Sequence, residues 1–464
     1  MIKSKKSIIE GPIFFKITLF ALPIMLTGIL QTLYSMADNI IVGQFSGDPY
    51  ALAAVGSTTS LTNLIINTLL GIAVGTGVVV SQRYGAGDKE EVSRAVHTSL
   101  VFSLMGGIAF LIIGLLVARP ALTLMGTKPE ILDKAHLYIS IICLGIPASA
   151  TYNFGAAILR SVGDSKTPLF ILSISGLINV GLNIFFVVVF HMSVAGVALA
   201  TIISQYFSAF VVLFTLSRKK DECYAFNIKQ AKIDTNLLKK VLRCGIPAGV
   251  QSAMFSISNV LLASAVNTFP TTTVTANTIA ANVDGITYIA INSFQHASMT
   301  FTGQNYGARK YKRIYRVFAF CMIQSIIAGL CVGHGELLFG EELVGLYVDA
   351  ANPNREVIIS TTLEIMRAIL SIYFLCGVME VFSGTLRGLG YSLLPMSISV
   401  VSICILRAVW VFTVFKTEPF NTITGLYTAY PVTWCTAIFF LSIATVFAWR
   451  KIAKRAKAEE HLLD

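Results

Sequence analysis

Charge is scarce in this chain of 464 residues: Asp, Glu, Lys and Arg together make up 13% of it, about half the share of a soluble domain. From Phe14 to Tyr34 no acidic residue interrupts the apolar sequence. Apolar residues supply 55% of the chain, and apolar runs of about 20 residues or more recur along it, the length that crosses a bilayer as a helix. These features exclude a soluble globular protein and leave an all-α polytopic membrane protein, because lipid offers no partners for an unpaired backbone. Paired cysteines are missing too. Eight cysteines stand singly, mostly inside apolar stretches (Cys143, Cys321, Cys331, Cys376, Cys404, Cys435), with no close CxxC pair, so neither a disulfide framework nor a zinc site is suggested. His191 and His296 lack a second ligand at metal spacing. No GxxxxGK[ST] loop is present, so the chain carries no cofactor machinery for ATP, and its energy must come from an ion gradient or a partner. No nucleophile and base converge in the sequence, which argues against a membrane-embedded enzyme.

About twelve transmembrane helices are expected, near residues 14–43, 50–82, 92–117, 133–158, 167–189, 194–216, 237–267, 272–304, 314–338, 357–385, 392–415 and 422–449. The first stretch is too long for a signal-peptide core and has no small-residue cleavage site after it, so it reads as a retained span. Basic residues alternate sharply between the two sides. One side receives Lys3, Lys5, Lys6, Arg83, Lys89, Arg94, Arg160, Lys166, the segment Arg218 to Arg243, then Arg309 to Arg316, Arg387 and Arg450 to Lys457. The other side holds only Arg119, Lys128, Lys134, Arg355 and Lys416. This bias predicts a multi-pass protein of the cell (inner or plasma) membrane with both termini cytoplasmic. The net charge of +11 is then a topology signal, with membrane lipids of anionic character as partners and no nucleic acid.

The longest polar interruption, about Ser217 to Leu238, reads as a solvated cytoplasmic linker. It divides the chain into an N-terminal six-helix lobe (1–216), the linker (217–236) and a C-terminal six-helix lobe with a basic tail (237–464). The halves repeat each other. Gln82-Arg83-Tyr84-Gly85-Ala86-Gly87 ends the second span and Gln304-Asn305-Tyr306-Gly307-Ala308-Arg309 ends the eighth, with Arg94 and Arg316 following at equal distance. Leu159-Arg160-Ser161-Val162-Gly163 follows the fourth span and Leu386-Arg387-Gly388-Leu389-Gly390 the tenth, with Pro168 and Pro395 at the same offset. A fainter match is the early proline of spans one and seven, Pro23 and Pro247. Each half has an even number of crossings, so the internal repeat is parallel, an arrangement that places a cavity between lobes and suits alternating access.

Within the first span, Asp38 lies in Met36-Ala37-Asp38-Asn39-Ile40-Ile41-Val42-Gly43. A carboxylate inside a membrane helix costs roughly 2.5–3.5 kcal/mol on insertion scales and points to function by default. It lies roughly 36 Å along the helix from Phe14, so position alone also allows a helix-end role. Pro23, in mid-span, removes a backbone hydrogen bond and marks a helix-bending point.

The Asp38 segment, the paired Tyr-Gly-Ala exits and the paired Arg-x-x-Gly-x4-Pro turns together resemble the multidrug and toxic compound extrusion (MATE) family of prokaryotic type, over nearly the whole chain from Phe14 to Trp449. The resemblance implies a secondary active exporter of small amphipathic, drug-like and often cationic compounds, driven by inward flow of Na+ or H+ and functional as a monomer. It also implies a polar cluster around Asp38: Tyr34 one turn earlier, Asn179 and Asn183 on span five, Thr201 on span six, and Asn153 on span four as an addition. Where this chain has Asn183 the family often has a second acid, so Asp38 is the lone carboxylate of that set. The C-terminal lobe offers Asp284, about 18 Å into its span, Gln251 and Glu380, the last near a span end from which it could snorkel. Arg407 could neutralise Asp284 or Glu364, and Arg367 is spaced to pair with Glu364. An alternative reading, a lipid-linked precursor flippase, calls for a cavity rich in Arg and Lys, whereas only Arg367 and Arg407 lie well inside a span.

Overall fold

Long apolar runs satisfy their own backbone hydrogen bonds only as helix. A computed structural model describes residues 8–349 and 352–460, and no strand occurs among them; Lys3, Lys5 and Lys6 lie outside the described residues. In chain order the helices are α1 (Ile13–Phe45), α2 (Ala51–Gly85), α3 (Lys89–Leu124), α4 (Pro129–Ser161), α5 (Lys166–Asn183), α6 (Ser193–Arg218), α7 (Thr235–Val266) and α8 (Thr271–Gly307). There follow α9 (Tyr311–Leu338), α10 (Gly340–Gly345), α11 (Arg355–Leu370), α12 (Phe374–Gly388), α13 (Leu393–Ser399), α14 (Leu406–Phe412), α15 (Ile423–Tyr427) and α16 (Ala429–Glu460). Two six-residue π-helical segments, Ile184–Val189 and Val400–Ile405, continue α5 and join α13 to α14.

Among the described residues ten segments are long and apolar enough to cross a membrane, and α11 with α12 adds an eleventh as a pair bent by 43°. The 37-residue α8 falls short on apolarity because it carries Asn277, Asn282, Asp284, Asn292, Gln295 and His296. All twelve expected segments are therefore helical, one of them broken and one unusually polar.

The chain forms two compact units, Leu26–Ala253 and Met254–Asp464 together with the described residues up to Met25. The boundaries expected from chain order would assign α1 and α7 whole, one to each lobe; both helices instead divide. In the first unit α7 crosses α2 with the backbones touching. A Cβ built on Gly75 would lie 2.2 Å from the Val241 carbonyl oxygen, and one on Gly71 2.4 Å from Gly249 Cα. Gly71-x3-Gly75 thus faces Gly245-x3-Gly249, the small-residue packing that brings membrane helices together. In the second unit the start of α1 buries Ile17, Phe20 and Ala21 with Phe294, Ala297, Phe301 and Val381, and Gln324 Nε2 donates to the Phe14 carbonyl at 2.9 Å.

The linker is bound to the first unit, where a solvated segment was expected. Lys219 pairs with Asp164 at 3.3 Å, and Tyr224 is buried beside Tyr84. The Asn227 backbone N–H donates to His97 Nε2 at 3.0 Å and the Asp234 N–H to Thr98 Oγ1 at 3.0 Å. The Asp234 carboxylate pairs with Arg94 at 3.2 Å and caps α7 through the Leu237 N–H. Arg94, His97 and Thr98 share one face of α3 by their spacing. Burial alone would push the Asp164 carboxyl up, but bonds from the Thr167 hydroxyl and N–H and from Lys219 hold it below the usual carboxylate range.

The repeated motifs fold alike. At the end of α4, Gly163 (φ +95°) donates its N–H to the Arg160 carbonyl at 2.9 Å and Asp164 to Leu159 at 2.9 Å; at the end of α12, Gly390 (φ +91°) and Tyr391 do the same to Arg387 and Leu386 at 2.8 and 2.9 Å. Gly87 (φ +75°) and Arg309 (φ +56°) occupy the same left-handed position after α2 and α8, the helix stop that glycine favours. Gly87→Ala, with open space around its Cβ, is expected to cost only the conformational penalty of about 1–2 kcal/mol. Gly75→Ala is expected to exceed the roughly 1–3 kcal/mol of ordinary overpacking, because backbone blocks it. Thermal unfolding midpoints of the two variants in detergent measure the difference.

Candidate functional site

The site is built where α1 lies along α5 in the first unit. Ser173, Gly176, Asn179 and Asn183 recur at spacings of three, three and four residues, and so share one face of α5. The Tyr34 ring packs directly against Gly176: a Cβ there would sit 1.8 Å from Tyr34 Cε2. Its hydroxyl donates to the Ser173 carbonyl at 3.1 Å. One turn on, Asp38 accepts a hydrogen bond from Asn183 Nδ2. The Asn183 amide also donates to Asn179 Oδ1 at 3.3 Å, and Asn179 Nδ2 reaches Thr201 Oγ1 at 3.5 Å. Thr201 in turn donates to the Val197 carbonyl at 2.9 Å. Asn183 is wholly buried and its Oδ1 has no partner, leaving an acceptor beside the carboxylate. Directly after Asn183 the helix widens into the π segment Ile184–Val189, a distortion often found at functional positions.

Tyr34, Asp38, Asn179, Asn183 and Thr201 are thus brought together. Asn153 is not joined to them: its Nδ2 donates to the Ser149 carbonyl of its own helix at 2.9 Å. Gln251, expected with the C-terminal lobe, is buried in the first compact unit, because that part of α7 packs on α2. In the second unit Glu380 is 2% exposed and accepts from Gln295 Nε2, so it does not snorkel. Arg407 donates to Ser258 Oγ and Asn259 Oδ1 at 3.5 and 3.4 Å and lies 4.4 Å over the Tyr430 ring. It pairs with neither Asp284 nor Glu364, and Glu364 accepts from Thr424 Oγ1 at 2.5 Å.

Beyond the Phe45 end of α1, Asp48 holds three elements together. Lys134 Nζ of α4 reaches both its oxygens, at 2.7 and 2.6 Å, and Ser193 Oγ at the start of α6 donates at 3.1 Å. The Lys134 hydrogen bond is the main reason the Asp48 carboxyl lies below the ordinary carboxylate range. Sequence reading missed Asp48, which looked like an ordinary turn residue after Gly47. It also missed Gly176, whose role depends on a ring 142 positions earlier in the chain.

The family model described as MatE matches residues 23–185 and 247–413. The chain belongs to the MatE family. The two matched segments of this MatE chain begin at Pro23 and Pro247, so the internal repeat is one model met twice. The chain is similar to the probable multidrug resistance protein YoeA of Bacillus subtilis, at 27% identity over 97% of each chain. It is also similar to the probable multidrug resistance protein YpnP of the same organism, at 27% over 86% of this chain and 87% of that one. A crystal structure of MATE in complex with MaL6 has the same fold, with a TM-score of 0.90 and 22% identity, covering 97% of this chain and 100% of that one. As a MatE member this multi-pass membrane protein is a transporter and not an enzyme.

Gly176→Ala is expected to evict the Tyr34 ring and lower the thermal midpoint. Tyr34→Ala in the same background should recover much of that loss, a coupling in the 0.5–3 kcal/mol range of touching residues; additive effects would mean the ring does not occupy the slot. Lys134→Ala is expected to raise the Asp48 carboxyl back towards its ordinary range, since the largest lowering cause is removed while the Tyr50 and Ser193 bonds remain. The folded carboxyl lies below its unfolded value, so the clasp stabilises above the ordinary carboxylate range and that contribution fades as pH falls through the lowered one. Unfolding midpoints of wild type and variant, followed from neutral to acid pH, should therefore converge.

Proposed function

We propose that this chain is a secondary active multidrug exporter, moving amphipathic, cationic compounds out in exchange for Na+ or H+ by alternating access. It acts as a monomer in the plasma membrane, with both termini cytoplasmic. One observation carries the reading: a carboxylate inside an apolar helix, Asp38, is hydrogen-bonded among the described residues by a neutral amide alone, whose own oxygen is buried without a partner. Amide and hydroxyl oxygens are hard ligands that suit Na+, and they equally hydrogen-bond a protonated acid. The relatives' description as multidrug resistance proteins supports the substrate class. A lipid-linked precursor flippase would need free cationic groups, and Arg407 is already engaged by Ser258, Asn259 and Tyr430.

In the proposed cycle a cation neutralises Asp38 from outside. Removing the charge lowers the cost of drying the pocket around Asn183, and α1 bends at Pro23, where a backbone hydrogen bond is already absent. Pro23 lies two residues before the point where α1 passes from one compact unit to the other. Cation and drug favour different states, and that differential affinity couples them. With one carboxylate in the cluster, one unit of charge is exchanged there per cycle.

Asp38→Asn is expected to abolish gradient-driven dye efflux from vesicles while leaving folded protein in the membrane. Efflux under separately imposed proton and sodium gradients identifies the ion. Full efflux by the variant under either gradient would exclude Asp38 as the coupling group.

A further inference from the structure

The second unit holds a buried acid that the cycle above leaves unused. Glu336, two residues before the end of α9, is 6% exposed. Thr287 Oγ1 of α8 donates to its Oε2 at 2.9 Å, while its Oε1 is buried with no partner. Three residues before Thr287, Asp284 has no hydrogen-bond or ion-pair partner among the described residues. An anionic oxygen buried without a donor is strongly disfavoured, and a second unpaired acid in electrostatic reach adds to the cost.

Among the described residues no cation pairs with either acid to relieve it. The titratable groups in reach of Asp284 are Tyr373 in the break before α12, Cys376 of α12, Tyr427 of α15 and Tyr430 of α16, all neutral or acidic in character. Arg407 is committed to Ser258, Asn259 and Tyr430. Glu364 of α11 is held by Thr424 and Glu380 of α12 by Gln295. Glu341 and Glu342 of α10 and Arg367 of α11 form no ion pair with either acid. No group of three or more His, Cys, Asp or Glu able to hold a metal occurs among the described residues, so a proton suits the pair better than a divalent ion.

The position is also mechanically suggestive. A Cβ on Gly333 of α9 would lie 3.2 Å from the Leu370 carbonyl oxygen, and one on Gly329 3.1 Å from Phe374 Cα. Leu370 and Phe374 flank the 43° break between α11 and α12. Glu336, three residues beyond Gly333, therefore stands beside a discontinuous helix, where transporters gather coupling ions.

We propose that Glu336 and Asp284, with Thr287 as donor, form a proton-binding site on α8 and α9 that is loaded and unloaded during transport, separately from Asp38. A proton from water binds the unpartnered Glu336 oxygen, which lowers the repulsion felt by Asp284, and returns to water on the opposite side. Glu336 does not stand out along the chain, because an acid at the end of a span resembles an end charge. The proposal rests on the reading of the chain as a cation-driven exporter, but not on Asp38 as the coupling group.

Infrared spectra of the full chain in lipid vesicles, recorded through a pH titration, read protonated carboxylic acids by their carbonyl stretch. Glu336→Gln is expected to remove one such band, Thr287→Val to shift it, and Asp38→Asn to leave it in place. A Glu336→Gln spectrum that keeps every band overturns the proposal. Should that variant not fold, an unmoved band in Thr287→Val overturns it instead. Glu336→Gln and Asp284→Asn are each expected to reduce the number of protons moved per dye molecule. A ratio unchanged in both, or efflux that moves no protons, removes the site from transport. Full gradient-driven efflux by Asp38→Asn with the Glu336 band intact would refute the Asp38 reading alone.

Discussion

A carboxylate carried into a membrane-spanning helix must find donors inside the protein, because the bilayer has none. Asp284 finds none among the described residues, but four other acids meet that constraint in one way. Asp38, Glu336, Glu364 and Glu380 each accept a hydrogen bond from an amide or hydroxyl, from Asn183, Thr287, Thr424 and Gln295 respectively. The ion pairs found among the described residues sit instead at helix ends and in loops, as in Arg83–Glu91, Arg94–Asp234, Arg119–Asp133 and Lys134–Asp48. The division has a physical reason. A buried pair of opposite charges loses much of its attraction to desolvation and locks both charge states. A neutral donor stabilises an anion without preventing it from taking up a cation. Acids held this way keep a changeable charge.

Holding such an acid in place needs a rigid frame, and glycine supplies much of it. The close seat of Tyr34 on Gly176 sets where α1 lies on α5, and so where Asp38 meets Asn183. The facing glycine pairs of α2 and α7 bring two backbones into contact in the same unit. In lipid, where apolar side chains gain little by leaving one solvent for a similar one, such close backbone packing and short polar contacts carry the association. The linker adds a polar strap, tied to α3 at Arg94, His97 and Thr98.

The duplication is visible at the level of single hydrogen bonds. The turns after α4 and α12 place a left-handed glycine at the same register and close the same pair of bonds. The exits of α2 and α8 do so as well, with Arg309 in the position that Gly87 fills. The copies diverge in their interiors. One carries a compact amide cluster around a single acid; the other has the polar α8, a broken partner helix and several acids spread along them. Two copies of one scaffold thus hold different polar chemistry.

Apolar run length, the distribution of basic residues and the paired turn motifs made the helical class, the spans and the repeat readable from the chain alone, because each follows from local chemistry between an element and its solvent. Asp38 was legible for the same reason, since a carboxylate is conspicuous in an apolar helix; the amides of span five were pointed to by the family resemblance. Tertiary structure alone decided that α1 and α7 divide between compact units, that the linker is bound, that Gln251 belongs with the first unit, and that Arg407 serves Ser258 and Asn259. It alone exposed Gly176, Asp48 and Glu336. Their significance lies in what stands opposite them across long sequence separations, a ring for Gly176, an ammonium for Asp48 and the Thr287 hydroxyl for Glu336. A residue's own type does not record what packing places across from it.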